Sequence, residues 1–323
     1  AWEAAVANLF SPGELVLVIE TGYFSLGFKE LAETMGLSVE MLPADWRKGL
    51  VIDKLTERLA ADKSHEIKAV LAVHNETATG LFLPMADVRR ALDQAKHPAL
   101  LLADTISSLG SMEYKMDAWG IDVTIAGSQK GLMLPTGLAM TGVSAKAMEA
   151  ARKAKLPKYY FNWELMASRK PQRFNGTVPV HFFFGLQESI KLIEEETLEG
   201  VFARHARLAE ATRACVRAWG ADGKGPSLFG QTEERLSNSV TTIMMPEGHT
   251  SDAMRKTALE RFNLSLGGGL GPLMGKVFRI GHLGDLNEPM LLGCLATTEL
   301  AMKTVGIPFA PGGVDAAIKS LAN

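Results

Sequence analysis

ALLLADTISSLGSMEYKMDAWGIDVTIAGSQKG, residues 99–131, holds two short, apolar, β-rich runs, each closed by polar residues. The first, ALLLAD (99–104), ends in Asp104, and the second, DVTIAGS (122–128), leads into Gln129 and Lys130. Outward from this segment the same kind of run recurs as LVLVIE (15–20), SVEML (38–42), IKAVLAV (67–73) and GLAMTGV (137–143). Between the runs lie helical patterns such as SLGFKELAETMG (25–36), DKLTERLAADK (53–63) and MADVRRALDQA (85–95), and Pro84 stands where a first-turn proline belongs. Strands alternating with helices of this length predict βαβ units and a mostly parallel sheet. Runs apolar along their length suit strands covered on both faces. The class is α/β, with helices on both sides of the sheet.

The pattern changes after about residue 145. Helical stretches follow at 145–154, 181–196 and 198–219, then a turn-rich linker at 223–230. SVTTIMM (239–245), a helix at 250–262, a glycine run, VFRIGH (277–282) and helices near 288–304 and 313–322 complete the chain. This suits a smaller α+β domain over 198–323, behind a large domain over 1–197. The opening AWEAAVANLF has no initiator Met and reads as a helix already under way, with no Ser, Thr, Asp or Asn before it as a cap. The expectation is a chain that begins inside a longer protein.

Composition narrows the function classes. The chain has 323 residues, 47% of them hydrophobic, and a net charge of −2, so it carries no electrostatic footprint for nucleic acid. No apolar run reaches the ~18 residues of a membrane span, and no signal peptide opens the chain. Cys215 and Cys294 lie in helix-like contexts and lack the paired spacing of a zinc site. They read as buried thiols of a cytoplasmic protein.

In an open α/β sheet, ligands bind outside the carboxyl ends of the strands. Three successive strand ends here carry His74-Asn75-Glu76-Thr77, then Asp104, then Ser128-Gln129-Lys130. Asp104 before Thr-Ile-Ser-Ser could simply cap a turn, and most lysines are surface residues. Lys130, however, stands between a buried-looking strand and the apolar GLMLP (131–135). Desolvation lowers a lysine's pKa and frees its amine as a nucleophile. A carboxylate near a pyridine nitrogen is the usual partner of pyridoxal 5′-phosphate (PLP). Together the two residues fit that cofactor better than two accidents do. Arg279, inside the strand-like VFRIGH, needs an anionic partner, either a substrate or an internal salt bridge. The glycine run GGGLGPLMG (267–275) lacks Walker spacing and reads as an active-site or turn loop. The histidines show no metal spacing, and His74 and His282 read as hydrogen-bonded structural residues.

HNETATG (74–80), DTISSLGSMEY (104–114), GSQKGLMLPTGLA (127–139) and FRIGHLGDLN (278–287) resemble the class V aminotransferases, nearest to the serine–glyoxylate and alanine–glyoxylate group. The resemblance runs through nearly the whole chain. It implies PLP fold type I and a homodimer or larger assembly with active sites at the interface. By resemblance, Lys130 is the lysine that holds PLP covalently, and Asp104 is the acid paired with the ring nitrogen. Gln129 contacts the phosphate, and Thr77 lies near the ring oxygen. Phe24 covers one ring face and Ile106 the other. Arg279 grips the substrate α-carboxylate, and Thr177 reaches the phosphate of a partner subunit. Where relatives have Tyr-Thr-Pro, this chain has Gly176-Thr177-Val178, with Arg173, Asn175 and His181 adding polarity. Relatives also carry a small Ser/Gly/Thr turn just before the first helix, which seats the phosphate on a helix N-terminus. The given sequence does not include that turn, so weak PLP binding is expected. The implied activity is ping-pong transamination between a small amino acid, serine favoured, and glyoxylate. The alternatives are alanine or aspartate as donor, a cysteine-desulfurase-like lyase, and a silent scaffold.

Overall fold

The computed structural model describes residues 1–169 and 174–323. The chain divides into two compact units, one of Ala1–Glu76, Phe82–Leu109 and Tyr114–Leu192, the other of Thr77–Leu81, Gly110–Glu113 and Ile193–Asn323.

In the first unit, strands β1 (Leu15–Ile19), β2 (Ser38–Leu42), β3 (Ile67–Val73), β4 (Leu100–Asp104), β5 (Val123–Gly127) and β6 (Ala139–Val143) form one sheet in the order β2-β1-β3-β4-β5-β6. The first five of these are parallel, and β6 runs antiparallel to β5. The sequence marked 137–143 as a strand without its direction. Residues 128–138 form a loop too short for the helical crossover that a parallel return needs, so the chain turns back at the sheet edge.

Helices α1 (Trp2–Leu9), α2 (Tyr23–Thr34), α3 (Ile52–Ala61), α4 (Met85–Gln94), α5 (Ala145–Ala151) and α6 (Trp163–Ser168) belong to this unit, and α7 (Val180–Glu196) begins in it. Side chains alternate along a strand, so neighbours enter opposite cores. Val16, Val18, Ala69, Leu71, Leu100 and Leu102 pack with α1, α2, α5 and α6. Leu17, Ile19, Val70, Ala72, Leu101 and Ala103 pack with α3 and α4. Burial on both faces is why these runs read as apolar rather than alternating. Pro84 is the N-cap of α4, one position ahead of the first turn. The short α6 escaped the sequence reading; Asn162 caps it by accepting the Leu165 N–H, and its Trp163 is buried.

In the second unit, β7 (Ser227–Leu228), β8 (Val240–Met244), β9 (Gly267–Gly268) and β10 (Val277–Gly281) make an antiparallel sheet in the order β9-β10-β8-β7. Helices α8 (Leu198–Trp219), α9 (Ser251–Phe262), α10 (Glu288–Val305) and α11 (Gly313–Leu321) share a core with it around Trp219, Phe278, Leu291 and Leu295. The glycine run is partly ordered as β9 and a short 3₁₀ turn, Gly271–Leu273. Cys215 and Cys294 are free thiols on α8 and α10. Among the described residues no helix is long and apolar enough to cross a membrane.

Candidate active site

Because β1, β3, β4 and β5 run parallel, their carboxyl ends share one edge of the sheet. Asp104 closes β4, opposite Val73 of β3 and Ile125 of β5. Its carbonyl accepts the His74 N–H at 2.9 Å, and the next N–H, of Thr105, donates to the Ile125 carbonyl at 2.8 Å. The backbone is thereby held from both sides. Asp104 is only 5% exposed. Its Oδ1 accepts the Ile106 N–H at 2.8 Å, and its Oδ2 accepts the Trp2 indole N–H at 2.7 Å. The turn-capping that the sequence allowed is therefore real, and it occupies one oxygen. Burial pushes the carboxyl up to about 6, against the pull of these two N–H donors.

Lys130 is half-buried and Gln129 exposed. The loop that carries them folds around buried Ser128. The Ser128 N–H donates to the Leu138 carbonyl (2.9 Å), its carbonyl accepts the Leu134 N–H (3.0 Å), and its hydroxyl donates to the Pro135 carbonyl (2.7 Å). The Lys130 carbonyl accepts the Met133 N–H at 2.9 Å, and the Ser189 hydroxyl of α7 holds the Leu132 carbonyl at 2.5 Å. The stretch of chain around Lys130 is therefore well fixed.

The aromatic Phe24 lies in the first turn of α2, beyond the end of β1. Buried Glu76 accepts the N–H groups of Phe24 (3.0 Å) and Ser25 (3.3 Å), placing a carboxylate on the positive end of the helix. The Ser25 hydroxyl accepts the N–H groups of Thr21 (2.9 Å) and Gly22 (3.1 Å). A Cβ at Gly22 would lie 2.4 Å from Glu76 Cγ, so this approach requires glycine. Ile106, partly buried, packs against the core on the α1 and α2 side.

Thr77 and Arg279 belong to the second unit. Arg279 sits in β10 between Thr242 of β8 and Gly267 of β9. Its Nε donates to the Gly268 carbonyl (2.8 Å) and its Nη1 to the Thr77 carbonyl (3.1 Å). The plane of the guanidinium is thus set by carbonyl oxygens. A Cβ on Gly267 would come within 3.2 Å of Arg279 Cβ. Thr177 is exposed, as is His181, while Arg173 lies outside the described residues. The Asn175 amide is bonded to the Tyr159 and Tyr160 carbonyls.

The two histidines have hydrogen-bond partners. His74 Nδ1 pairs with the Ser108 hydroxyl at 2.9 Å, and burial pushes it down to about 4. His282 Nε2 pairs with the Thr241 hydroxyl at 2.9 Å and is pushed down to about 3, chiefly by burial. Sequence reasoning missed Trp2 and the capping role of Glu76. Glu76 was visible within HNETATG; nothing in the spacing announces a bond between residues 102 apart, as Trp2 and Asp104 are.

The aminotransferase class-V family model matches residues 1–270. An L-aspartate–glyoxylate aminotransferase of Paracoccus denitrificans is 46% identical, over 98% of this chain and 79% of its own length. A serine–glyoxylate aminotransferase of Methylorubrum extorquens is 45% identical, over 99% of this chain and 80% of its own. Among solved structures, a ureidoglycine–glyoxylate aminotransferase from Bacillus subtilis superposes with a TM-score of 0.90 at 28% identity, covering 99% of this chain and 82% of that one.

Asp104 makes a pH-dependent contribution to stability whose sign follows from its environment. Its carboxyl titrates near 3.8 when unfolded and at about 6 when folded, so the folded protein binds this proton more tightly. The contribution is fully present below about pH 4 and lost as the pH rises through about 6. Asp104→Asn removes it. In the PLP-free protein, the unfolding free energy of Asp104→Asn relative to the parent should therefore improve between pH 4 and pH 7, by roughly 2–3 kcal/mol at most. Denaturant unfolding across that range checks this, and a pH-independent difference would contradict it.

Proposed function

We infer, from the premise that the chain belongs to the class-V aminotransferase family and is a PLP-dependent aminotransferase of fold type I, that it transfers the amino group of a small amino acid to glyoxylate. Serine is the donor we favour. Aspartate is the second reading, because a relative named for it is 46% identical. Glyoxylate as acceptor is supported by its place in the names of both curated relatives.

The observation that carries the chemistry is the setting of Asp104. Its side-chain oxygens accept hydrogen bonds from two neutral N–H groups, with burial opposing its charge. Such a carboxylate gains from a cation, and a protonated pyridine nitrogen is one. The residues therefore fit PLP. When bound, PLP supplies an aldehyde that captures the amino group and a ring that withdraws electrons from the substrate Cα.

In this reading Asp104 keeps the proton on the ring nitrogen. Lys130 holds the cofactor covalently through Nζ. The Lys130 amine, when free, would take the proton from the substrate Cα as base and give it up as acid to the cofactor carbon on the far side of the substrate nitrogen. Gln129 and Thr177 serve the phosphate, the latter across a dimer. Thr77 serves the ring oxygen, while Phe24 and Ile106 cover the two ring faces and exclude water. Arg279 takes the α-carboxylate as a planar fork. Donor and acceptor both present a carboxylate, so one arginine serves both halves of a ping-pong cycle. The dimer is supported by apolar side chains open to solvent around Thr177 in the sequence: Tyr159 is 70%, Val180 58% and Phe184 73% exposed.

The test is a matrix of serine, alanine and aspartate against glyoxylate, run on the parent and on Arg279→Lys. We expect serine to give the highest kcat/KM, with parallel double-reciprocal lines. Arg279→Lys should weaken capture of donor and acceptor together, by roughly 1.5–3 kcal/mol each. A preference for aspartate would move the assignment to the second reading. No amino transfer to glyoxylate from any donor would overturn the acceptor, and unchanged KM values in Arg279→Lys would overturn the role of Arg279.

A further inference from the structure

The terminal torsion of an aspartate is soft and roughly two-fold, so one hydrogen bond leaves the carboxylate free to turn about its own axis. Asp104 has two. The Ile106 N–H holds Oδ1 at 2.8 Å from within the same turn, and the Trp2 indole N–H holds Oδ2 at 2.7 Å from α1. The indole is itself fixed. It lies flat on the Phe28 ring, with centroids 4.8 Å apart and planes within 2°. Phe28 is fully buried in α2, and Gly27 beside it leaves space where a Cβ would come to 3.4 Å from the indole. Trp2 is thus held in place by one helix while it holds a residue of the sheet edge.

We propose that Trp2 is a positioning residue: its indole N–H orients the Asp104 carboxylate toward the ring nitrogen of PLP. The proposal rests on the reading of Asp104 as the partner of that nitrogen. A carboxylate offers about four lone-pair directions, so two bonds leave capacity for the ring N–H. The indole is neutral, so it orients the carboxylate without supplying the positive charge that the ring nitrogen brings. A lysine at the same place would compete with the cofactor for the acid.

The test separates orientation from packing by using a cofactor analogue that cannot pair with Asp104. PLP and 1-deaza-PLP, in which carbon replaces the ring nitrogen, are titrated into the PLP-free parent, Trp2→Phe, Asp104→Ala and the double variant. Trp2→Phe keeps an aromatic ring to lie on Phe28 and loses the N–H donor together with the second ring of the indole, a loss of packing that both ligands would feel alike. The parent should bind PLP more tightly than the analogue, and Asp104→Ala should erase that preference. Trp2→Phe should weaken PLP by about tenfold more than the analogue, as expected when a hydrogen bond to a charged group is lost. In the Asp104→Ala background it should affect both alike. Equal weakening of both ligands would show that Trp2 only packs, and no weakening of either would show that Asp104 needs no such anchor; both results overturn the proposal. A parent that binds both ligands equally would overturn the underlying reading of Asp104, and this proposal with it. If Trp2→Phe melts well below the parent, benzothienylalanine at position 2, with sulfur in place of the N–H and the shape retained, gives the same comparison.

Discussion

Two N–H groups, the backbone amide of Ile106 and the indole of Trp2, stand between the Asp104 carboxylate and the full cost of its burial. Removing an ionised carboxyl from water is expensive, and neutral donors offset only part of that expense. The remainder appears as a carboxyl pushed up to about 6. A cationic ring nitrogen placed against it would reverse the balance, because burial that penalises a lone charge strengthens a charge pair. The cost in the cofactor-free protein is the counterpart of affinity in the loaded one.

The sheet explains why the polar residues gather where they do. With both faces of β1, β3 and β4 packed under helices, the interiors of these strands are filled by apolar side chains. Polar groups are left to the strand ends, and parallel order brings the carboxyl ends to one edge. Each end is then set by its own device. Glu76 caps α2 and fixes the turn bearing Phe24, backbone pairing to two neighbouring strands fixes Asp104, and bonds around Ser128 fix the loop bearing Lys130. In the second unit, two carbonyl oxygens orient Arg279, and Gly267 makes room beside it.

Much of this was legible in the chain. Apolar runs marked the strands because burial on both faces leaves an unbroken pattern, and the polar residue after each run marked an edge. Asp104 and Lys130 were visible for that reason. The antiparallel return of β6 was not, since side-chain pattern records burial rather than direction. The six-residue α6 is too short for a helical period to register. Trp2 was invisible for a different reason: its partner is 102 residues away, and a tryptophan in an amphipathic helix reads as core. Glu76 stood in plain view within a polar cluster, yet its partners are backbone N–H groups of another element, which carry no side-chain signature.

On the reading proposed above, the lysine in the loop after β5 and the acid that closes β4 together take PLP. Borohydride reduction of the PLP-loaded protein, followed by peptide mapping, tests it most directly. The expected result is loss of the visible absorption band and a single stable pyridoxyl adduct on Lys130. An adduct on another lysine, or none on any, would contradict it.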